Sequence, residues 1–307
     1  MKFKIMSCAL LLALGGLAFA RPGQQDEENV RGAFLTSRPK ERPSTPPEST
    51  RPVRHPPKPS STTASAGPKS TNPSANTGTN GAMMVTDPKN NNSARITAPK
   101  MGLGLTLFTR DANGLAVRVD PSHEFHKGDR VRILLETNAD GYLYIFNTTD
   151  GGSPVMIYPS PELDEGGNYI QSHVPFEIPS SVGSEERLKW FSFDQYAGTE
   201  RLYFVFTRER LSGVPIDNDL IAYCRESKTR CPLKPSAQLW SQFQKQMNEP
   251  LKTARSQKYG RAQTSGEQVS TTRGIGLSQE DPEPSVIMMS VSIDSNSLVT
   301  LLELVHK

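Results

Sequence analysis

The chain has 307 residues, 35% of them hydrophobic, with 25 prolines, 23 glycines and a formal charge of +3. That length admits one or two domains, but so low an apolar content implies that the globular part is shorter than the whole. A charge so close to neutral gives no electrostatic case for nucleic acid as the main partner.

The first residues, MKFKIMSCALLLALGGLAFA, set Lys2 and Lys4 ahead of an apolar run that closes on Ala18-Phe19-Ala20. This is the charged, apolar and small-x-small pattern of a secretory signal peptide over residues 1–20. The uncharged run from Ile5 to Ala20, about 16 residues, falls short of the roughly 20 a spanning helix needs, so no membrane span is expected after cleavage. Cys8 precedes the apolar run instead of closing it, which argues against a lipoprotein. Cleavage removes two lysines, so the charge drops from +3 to about +1. It also leaves two cysteines, Cys224 and Cys231, in CRESKTRC. In an oxidising compartment, periplasmic or extracellular, such a close pair reads as a local disulfide. Closing so small a loop is worth about 2–3 kcal/mol on the chain-entropy estimate. The spacing is not CxxC and no histidine is near, against a metal or redox pair.

Residues 21–100 are dominated by Pro, Ser, Thr, Asn and Gly. Such a composition has too little apolar surface to offset the entropy of ordering the backbone, and a disordered linker is expected there. Within it, Pro56-Pro57-Lys58-Pro59 could be a ligand for a peptide-binding domain, and Asn91-Asn92-Ser93 is a glycosylation sequon; biased composition produces both freely.

After Lys100 the character changes. GLGLTLFTR (Gly102–Arg110) alternates, with Leu103, Leu105 and Leu107 on one face. Ala116–Val119, Arg130–Glu136, Tyr142–Thr149, Val155–Tyr158, Tyr169–Gln171, Leu188–Phe193 and Arg201–Thr207 follow as short β-branched or aromatic runs. Turn chemistry separates them at Asn113-Gly114, Asp140-Gly141 and Gly166-Gly167-Asn168. Many short strands without intervening helical patterns predict a mostly β fold, an antiparallel sandwich over residues 101–212.

Residues 213–250 are read as the disulfide loop and one amphipathic helix. SAQLWSQFQKQMN puts Leu239, Trp240, Phe243 and Met247 on one face, with Ser236 placed to cap it and Pro250 beyond its end. Residues 251–284 return to linker composition and are expected to be flexible. The tail, residues 285–307, predicts two strands joined across Asp294-Ser295-Asn296 and returning to the sandwich; a helix over Leu298–His306 competes, since LVTLLELV suits either period.

The segment GYLYIFNTTDGGSPVMIYPSPE reads as a hairpin turning at Asp150-Gly151-Gly152. Tyr142, Tyr144 and Phe146 share one face of its first strand, Leu143 and Ile145 the other. RLYFVFT repeats the feature, with Leu202, Phe204 and Phe206 opposite Tyr203 and Val205. Strands apolar on both faces need cover on both, and the helix bearing Trp240 and Phe243 is the obvious cover for one. The alternative leaves Tyr142, Tyr144 and Phe146 exposed as a stacking platform for sugar or peptide. Burying the three contributes about 6 kcal/mol at about 2 kcal/mol each, and large exposed apolar patches are uncommon, which favours core.

The order Lys127-Gly128-Asp129-Arg130-Val131, Gly141-Tyr142-Leu143-Tyr144-Ile145-Phe146, Asp150-Gly151, Ile157-Tyr158-Pro159, Asn168-Tyr169-Ile170, Ile178-Pro179 and Gly198-Thr199-Glu200-Arg201-Leu202 resembles the bacterial domain-of-unknown-function family DUF4384. The resemblance runs from about Leu103 to Leu211, roughly a third of the chain. It implies a β-rich module of multidomain bacterial proteins, without an assigned activity and without catalytic residues to carry over.

No GxSxG, Walker loop, HExxH, EF-hand loop or Rossmann fingerprint is present. Asp120, His123, Glu124 and His126 could ligate a transition metal, but one short loop offers too few converging ligands. Glu162, Asp164, Glu165 and Asn168 match no calcium-loop template and read as an acidic turn. Asp150, His173 and Glu177 are residue types that hydrolysis needs, yet nothing in the spacing brings them together, and His173 reads as a rim residue or a base. The expectation is an exported, non-catalytic cell-envelope module without a cofactor, tethered by its linker and binding an envelope protein or polysaccharide. The alternatives are a metal-dependent or hydrolytic enzyme centred on His123 and His126 or on the Asp150 loop, and a carbohydrate-binding module.

Overall fold

Alternation in GLGLTLFTR does what a period of two requires: it sends Leu103, Leu105 and Leu107 into one buried layer. In the computed structural model, which describes residues 22–47, 100–161, 167–182, 185–226 and 231–307, that layer lies between two sheets. In chain order the described elements begin with helix α1 (Pro22–Leu35), then β1 (Gly102–Arg110), β2 (Ala116–Val119), β3 (Glu124–Phe125) and β4 (Arg130–Thr137). Next come β5 (Gly141–Thr149), β6 (Val155–Tyr158), β7 (Tyr169–Ile170), β8 (Phe176–Ile178), β9 (Phe191–Ser192) and β10 (Gly198–Thr207). Helices α2 (Asp217–Glu226) and α3 (Ala237–Gln246), strand β11 (Leu251–Arg255), helix α4 (Ser265–Arg273) and strands β12 (Val286–Ser290) and β13 (Ser297–His306) complete the chain.

One sheet has the order β11-β12-β1-β4-β8, with β2 on β1 and β9 on β4. The other runs β3-β13-β10-β5-β6, with β7 on β5. All pairs are antiparallel except β13–β3. The inner faces supply the main core: Leu103, Leu105, Ile133 and Met288 from one sheet, and Leu143, Ile145, Phe204 and Phe206 from the other. The fold is therefore mostly β and sandwich-like, as the strand pattern indicates.

The expected hairpin is present. β5 and β6 pair across Asp150 and Gly151, both at positive φ, and a bulge separates Ile145 from Phe146. β5 and β10 pair directly over Thr149–Tyr142, each with a neighbour on both sides. Tyr142, Tyr144 and Phe146 form a second core with Val205, Leu220 and Phe243. Phe146 lies 5.3 Å from Phe243, and Tyr203 lies 4.7 Å from Trp240, so α3 covers this outer face. Ser236 caps α3 by accepting from the Leu239 amide. Tyr144 is fully buried, its hydroxyl accepting from the Leu211 amide. The exposed-platform alternative for Tyr142, Tyr144 and Phe146 does not hold: these rings are interior. Cys224 and Cys231 form a disulfide joining the end of α2 to the approach to α3.

The opposite sheet is covered as well, and here composition misled. Residues 22–47, expected to be disordered with the rest of 21–100, are ordered. Helix α1 buries Val30 and Phe34 against Ala254, Ile287 and Met289 of β11 and β12. Two glycines of β1 make room for it: a Cβ at Gly102 would sit 2.8 Å from the Phe34 ring, and one at Gly104 would sit 2.5 Å from Pro284. Residues 251–284, expected to be a flexible linker, hold β11 and α4, the latter with a Thr264/Glu267 capping box and Gly274 at its C-terminus in the left-handed region. Glu267 is also ion-paired with Arg118 of β2.

The last two strands form as expected, and Leu298–His306 is strand, not helix. They do not pair with each other. β12 joins β1 in one sheet and β13 joins β10 in the other, so their connection crosses the sandwich. The expected strand over Leu188–Phe193 shrinks to β9, preceded by a 3-10 turn at Glu186–Leu188. The signal peptide, the proline-rich tract with its Pro56–Pro59 and Asn91–Ser93 motifs, and Glu162, Asp164 and Glu165 lie outside the described residues. Among the described residues no helix is long and apolar enough to cross a membrane.

Candidate functional site

The four candidate metal ligands disperse. Asp120 accepts from the Ser122 hydroxyl at 2.6 Å and amide at 2.8 Å, and these bonds hold its carboxyl below the ordinary range. His123 packs edge-on against Phe125 at 4.8 Å. Glu124 lies 2.8 Å from the Lys307 ammonium, which lowers its carboxyl too. His126 faces Asp129. Each of these side chains has a different neighbour, and among the described residues no group of three His, Cys, Asp or Glu side chains converges on one point.

Asp150, His173 and Glu177 also part company. Asp150 accepts from the Thr199 amide at 2.8 Å, beside the hairpin turn. Glu177 accepts from Gln263 at 2.5 Å and faces Arg132, whose guanidinium lies 4.0 Å from the Trp190 ring centre. His173 is neither rim nor free. It is buried, with its Nδ1 2.7 Å from Glu136 Oε1 and its Nε2 2.8 Å from Ser37 Oγ. Its φ of 57° is held by its amide bond to Thr137 O at 2.7 Å and by Leu277 N donating to its carbonyl at 2.8 Å.

Glu136, at the end of β4, is held from the other side by Arg38 in two bonds of 2.7 and 2.6 Å. Burial alone would push the Glu136 carboxyl up; the hydrogen bond from His173 and the Arg38 guanidinium outweigh it and hold the carboxyl below its ordinary value. Arg38 also donates to the carbonyls of Ser278, Asp281 and Pro282. All five of its N–H groups are thus engaged. Ser, His and Glu in this order are the residue types of a nucleophile, base and orienting acid. The serine hydroxyl, however, has one proton and lies 2.6 Å from Phe34 O, an end carbonyl of α1. A hydroxyl proton directed there is not turned to His173 Nε2. Sequence reasoning passed over Ser37 and Arg38 because the composition of residues 21–100 was averaged.

A second feature lies at one end of the sandwich. A cavity of about 420 Å³ opens between β4 and β9 on one side and β5, β10 and β13 on the other. Its floor is apolar, with Val131, Ile157, Leu202 and Leu304. Phe191, Phe193 and Tyr196 stand at its wall, and Tyr196 is 71% exposed. Three carboxylates face it: Asp150, Asp194 and Glu200. Glu200 accepts from Asn147 at 2.8 Å and from the Thr149 hydroxyl at 2.9 Å, while Asn147 Oδ1 is buried without a hydrogen bond. Among the described residues no lysine or arginine lines the cavity. The nearby Arg201 is engaged with Glu303 at 2.7 Å. Only Asp150 of this set figured among the candidate residues; the rest come from several strands, and the loop between β9 and β10, that meet only in the folded chain.

Residues 124–210 match the family described as domain of unknown function, DUF4384. The matched stretch begins at β3 and ends just past β10, so it holds most of the cavity wall and leaves β1, β2 and everything after Arg210 outside. No curated protein and no solved structure matches the chain.

Proposed function

We propose that the protein is an exported, non-catalytic module of the cell envelope that binds a partner protein or another envelope component through the cavity at the end of its sandwich. The cavity carries the reading. At about 420 Å³ it falls within the range of about 300–1,000 Å³ for ligand clefts, and it combines apolar walls with a few oriented polar groups. The charged and apolar pattern of residues 1–20 and the Cys224–Cys231 bond support export.

One part of the expectation changes. Residues 22–47 pack on the strands that follow Lys100, through Phe34 on Ile287 and Arg38 on Glu136, so this segment is read as part of the binding body and not of its linker. The test is a photo-crosslinking residue placed at Tyr196 in the producing cells, with one at the exposed Leu115 as control. Capture of a defined partner at Tyr196 and not at Leu115 is expected; equal capture, or none, overturns the reading.

A second reading has its own observation. Ser37 Oγ lies 2.8 Å from His173 Nε2, whose Nδ1 lies 2.7 Å from Glu136 Oε1, a relay that could serve acyl transfer, Ser37 attacking a carbonyl while His173 takes its proton. Labelling by a fluorophosphonate that disappears in Ser37→Ala would establish it. The Phe34 carbonyl acceptor and the Arg38 bond to Glu136 both favour a structural role instead.

A further inference from the structure

We infer that the end cavity recognises the guanidinium of an arginine on a partner protein. The inference rests on the binding reading above and names its ligand chemistry. The polar residues lining the cavity are weighted toward acceptors: the carboxylates of Asp150, Asp194 and Glu200. A guanidinium is the side chain that supplies several donors in one plane, and its pairing with carboxylates gains from geometry as well as charge.

The hydrogen bonds already present orient these acceptors. Asn147 and Thr149 hold one Glu200 oxygen, the Thr199 amide holds Asp150, and the Tyr196 amide holds Asp194 at 2.8 Å. Groups fixed before binding lose little freedom when a ligand arrives. Around them stand Phe191, Phe193 and Tyr196, whose ring faces attract a cation and pack the methylenes of an arginine stem. His306, 5.0 Å from Phe193, closes the floor.

Three carboxylates around an apolar cavity without a lysine or arginine in its lining form an anionic site whose charge a cation balances. A neutral sugar would leave that charge uncompensated, and an anionic wall polymer would be repelled. The occupant most complementary to both walls and rim is an arginine with an apolar neighbour.

The test uses the full chain and acetyl-tetra-arginine amide, titrated by calorimetry beside the matched tetra-citrulline peptide. Citrulline keeps the shape and removes the charge. Binding of the arginine peptide is expected to be at least about tenfold tighter, to weaken with added salt, and to fall about tenfold in Asp194→Asn and in Tyr196→Ala. Both positions are exposed, so neither substitution should disturb folding. Equal binding of the two peptides, or binding untouched by both substitutions, overturns the inference. So does tighter binding of neutral chitotetraose. In those cases the crosslink at Tyr196 still decides the underlying reading: partner capture there keeps the cavity as the interface, with a different ligand chemistry.

Discussion

Arg38 grips Glu136 through two parallel bonds of 2.7 and 2.6 Å, although 98 positions separate them. Both side chains are almost wholly buried. The pair therefore fastens the segment after α1 to the end of β4, and its removal should be felt across the body. A buried carboxylate stripped of its cation is strongly destabilising, by about 3–5 kcal/mol. Arg38→Met is expected to show that loss in urea unfolding. Glu136→Leu combined with Arg38→Met should recover part of it, since both halves of the ion pair are then gone and only His173 Nδ1 loses its partner.

The same carboxyl sets an acid limit. Its ordinary value is 4.5 and the native state holds it lower. As pH falls through the ordinary range, the unfolded chain takes up a proton that the native chain does not, so the pair's contribution declines. It is fully present above the ordinary value and gone once pH passes below the native one. Chemical denaturation from pH 7 to pH 3 should show a decline that is smaller in the double variant Arg38→Met/Glu136→Leu.

Phe243 and Phe146, 5.3 Å apart, make the contact between α3 and the second core. Phe243→Ala should destabilise by about 3–5 kcal/mol through lost burial and a residual cavity. A double-mutant cycle with Phe146→Ala should leave a coupling of about 0.5–1.5 kcal/mol. Additive effects would mean that α3 does not seat on β5.

Gly104 is the narrow point under α1. Gly104→Val places a branched side chain against Pro284 and Phe34 and should cost about 1–3 kcal/mol. Because the strain falls where α1 docks, tryptic cleavage at Arg31 should become faster than cleavage elsewhere.

Replacing Cys224 and Cys231 together by serine should cost about 2–3 kcal/mol, since the bond closes a short loop in the unfolded chain. The loss should match that of the wild type under reductant.

The strands were legible in the sequence because each carries its own period. GLGLTLFTR, VMIY and the two aromatic runs needed only local alternation and turn residues to be placed, and Ser236 announced α3. What was missed had local signals outweighed by composition. Val30 and Phe34 are four apart, as a helix face requires, but they sit among charged and polar residues ahead of a proline-rich tract. Thr264-Ser265-Gly266-Glu267 is a capping box followed by Gly274, yet α4 has almost no apolar face and is fastened instead by Arg118. The candidate sites were harder still. His173 and Asp150 were noticed as residue types, but their partners, Ser37 with Glu136 and Glu200 with Asp194, are assigned by tertiary pairing alone.

Strand β13 lies between β3 and β10, so the sheet containing the aromatic hairpin closes only when residues 297–306 arrive. The stretch that the family model matches, residues 124–210, is therefore narrower than the unit that folds. Expressed alone it would present two raw edges, that of β4 where β1 belongs and that of β10 where β13 belongs, and should self-associate instead of remaining monomeric. The matched stretch and the cooperative unit have their borders in different places along this chain, and a fragment cut to the first would inherit the walls of the end cavity without the floor supplied by Leu304 and His306.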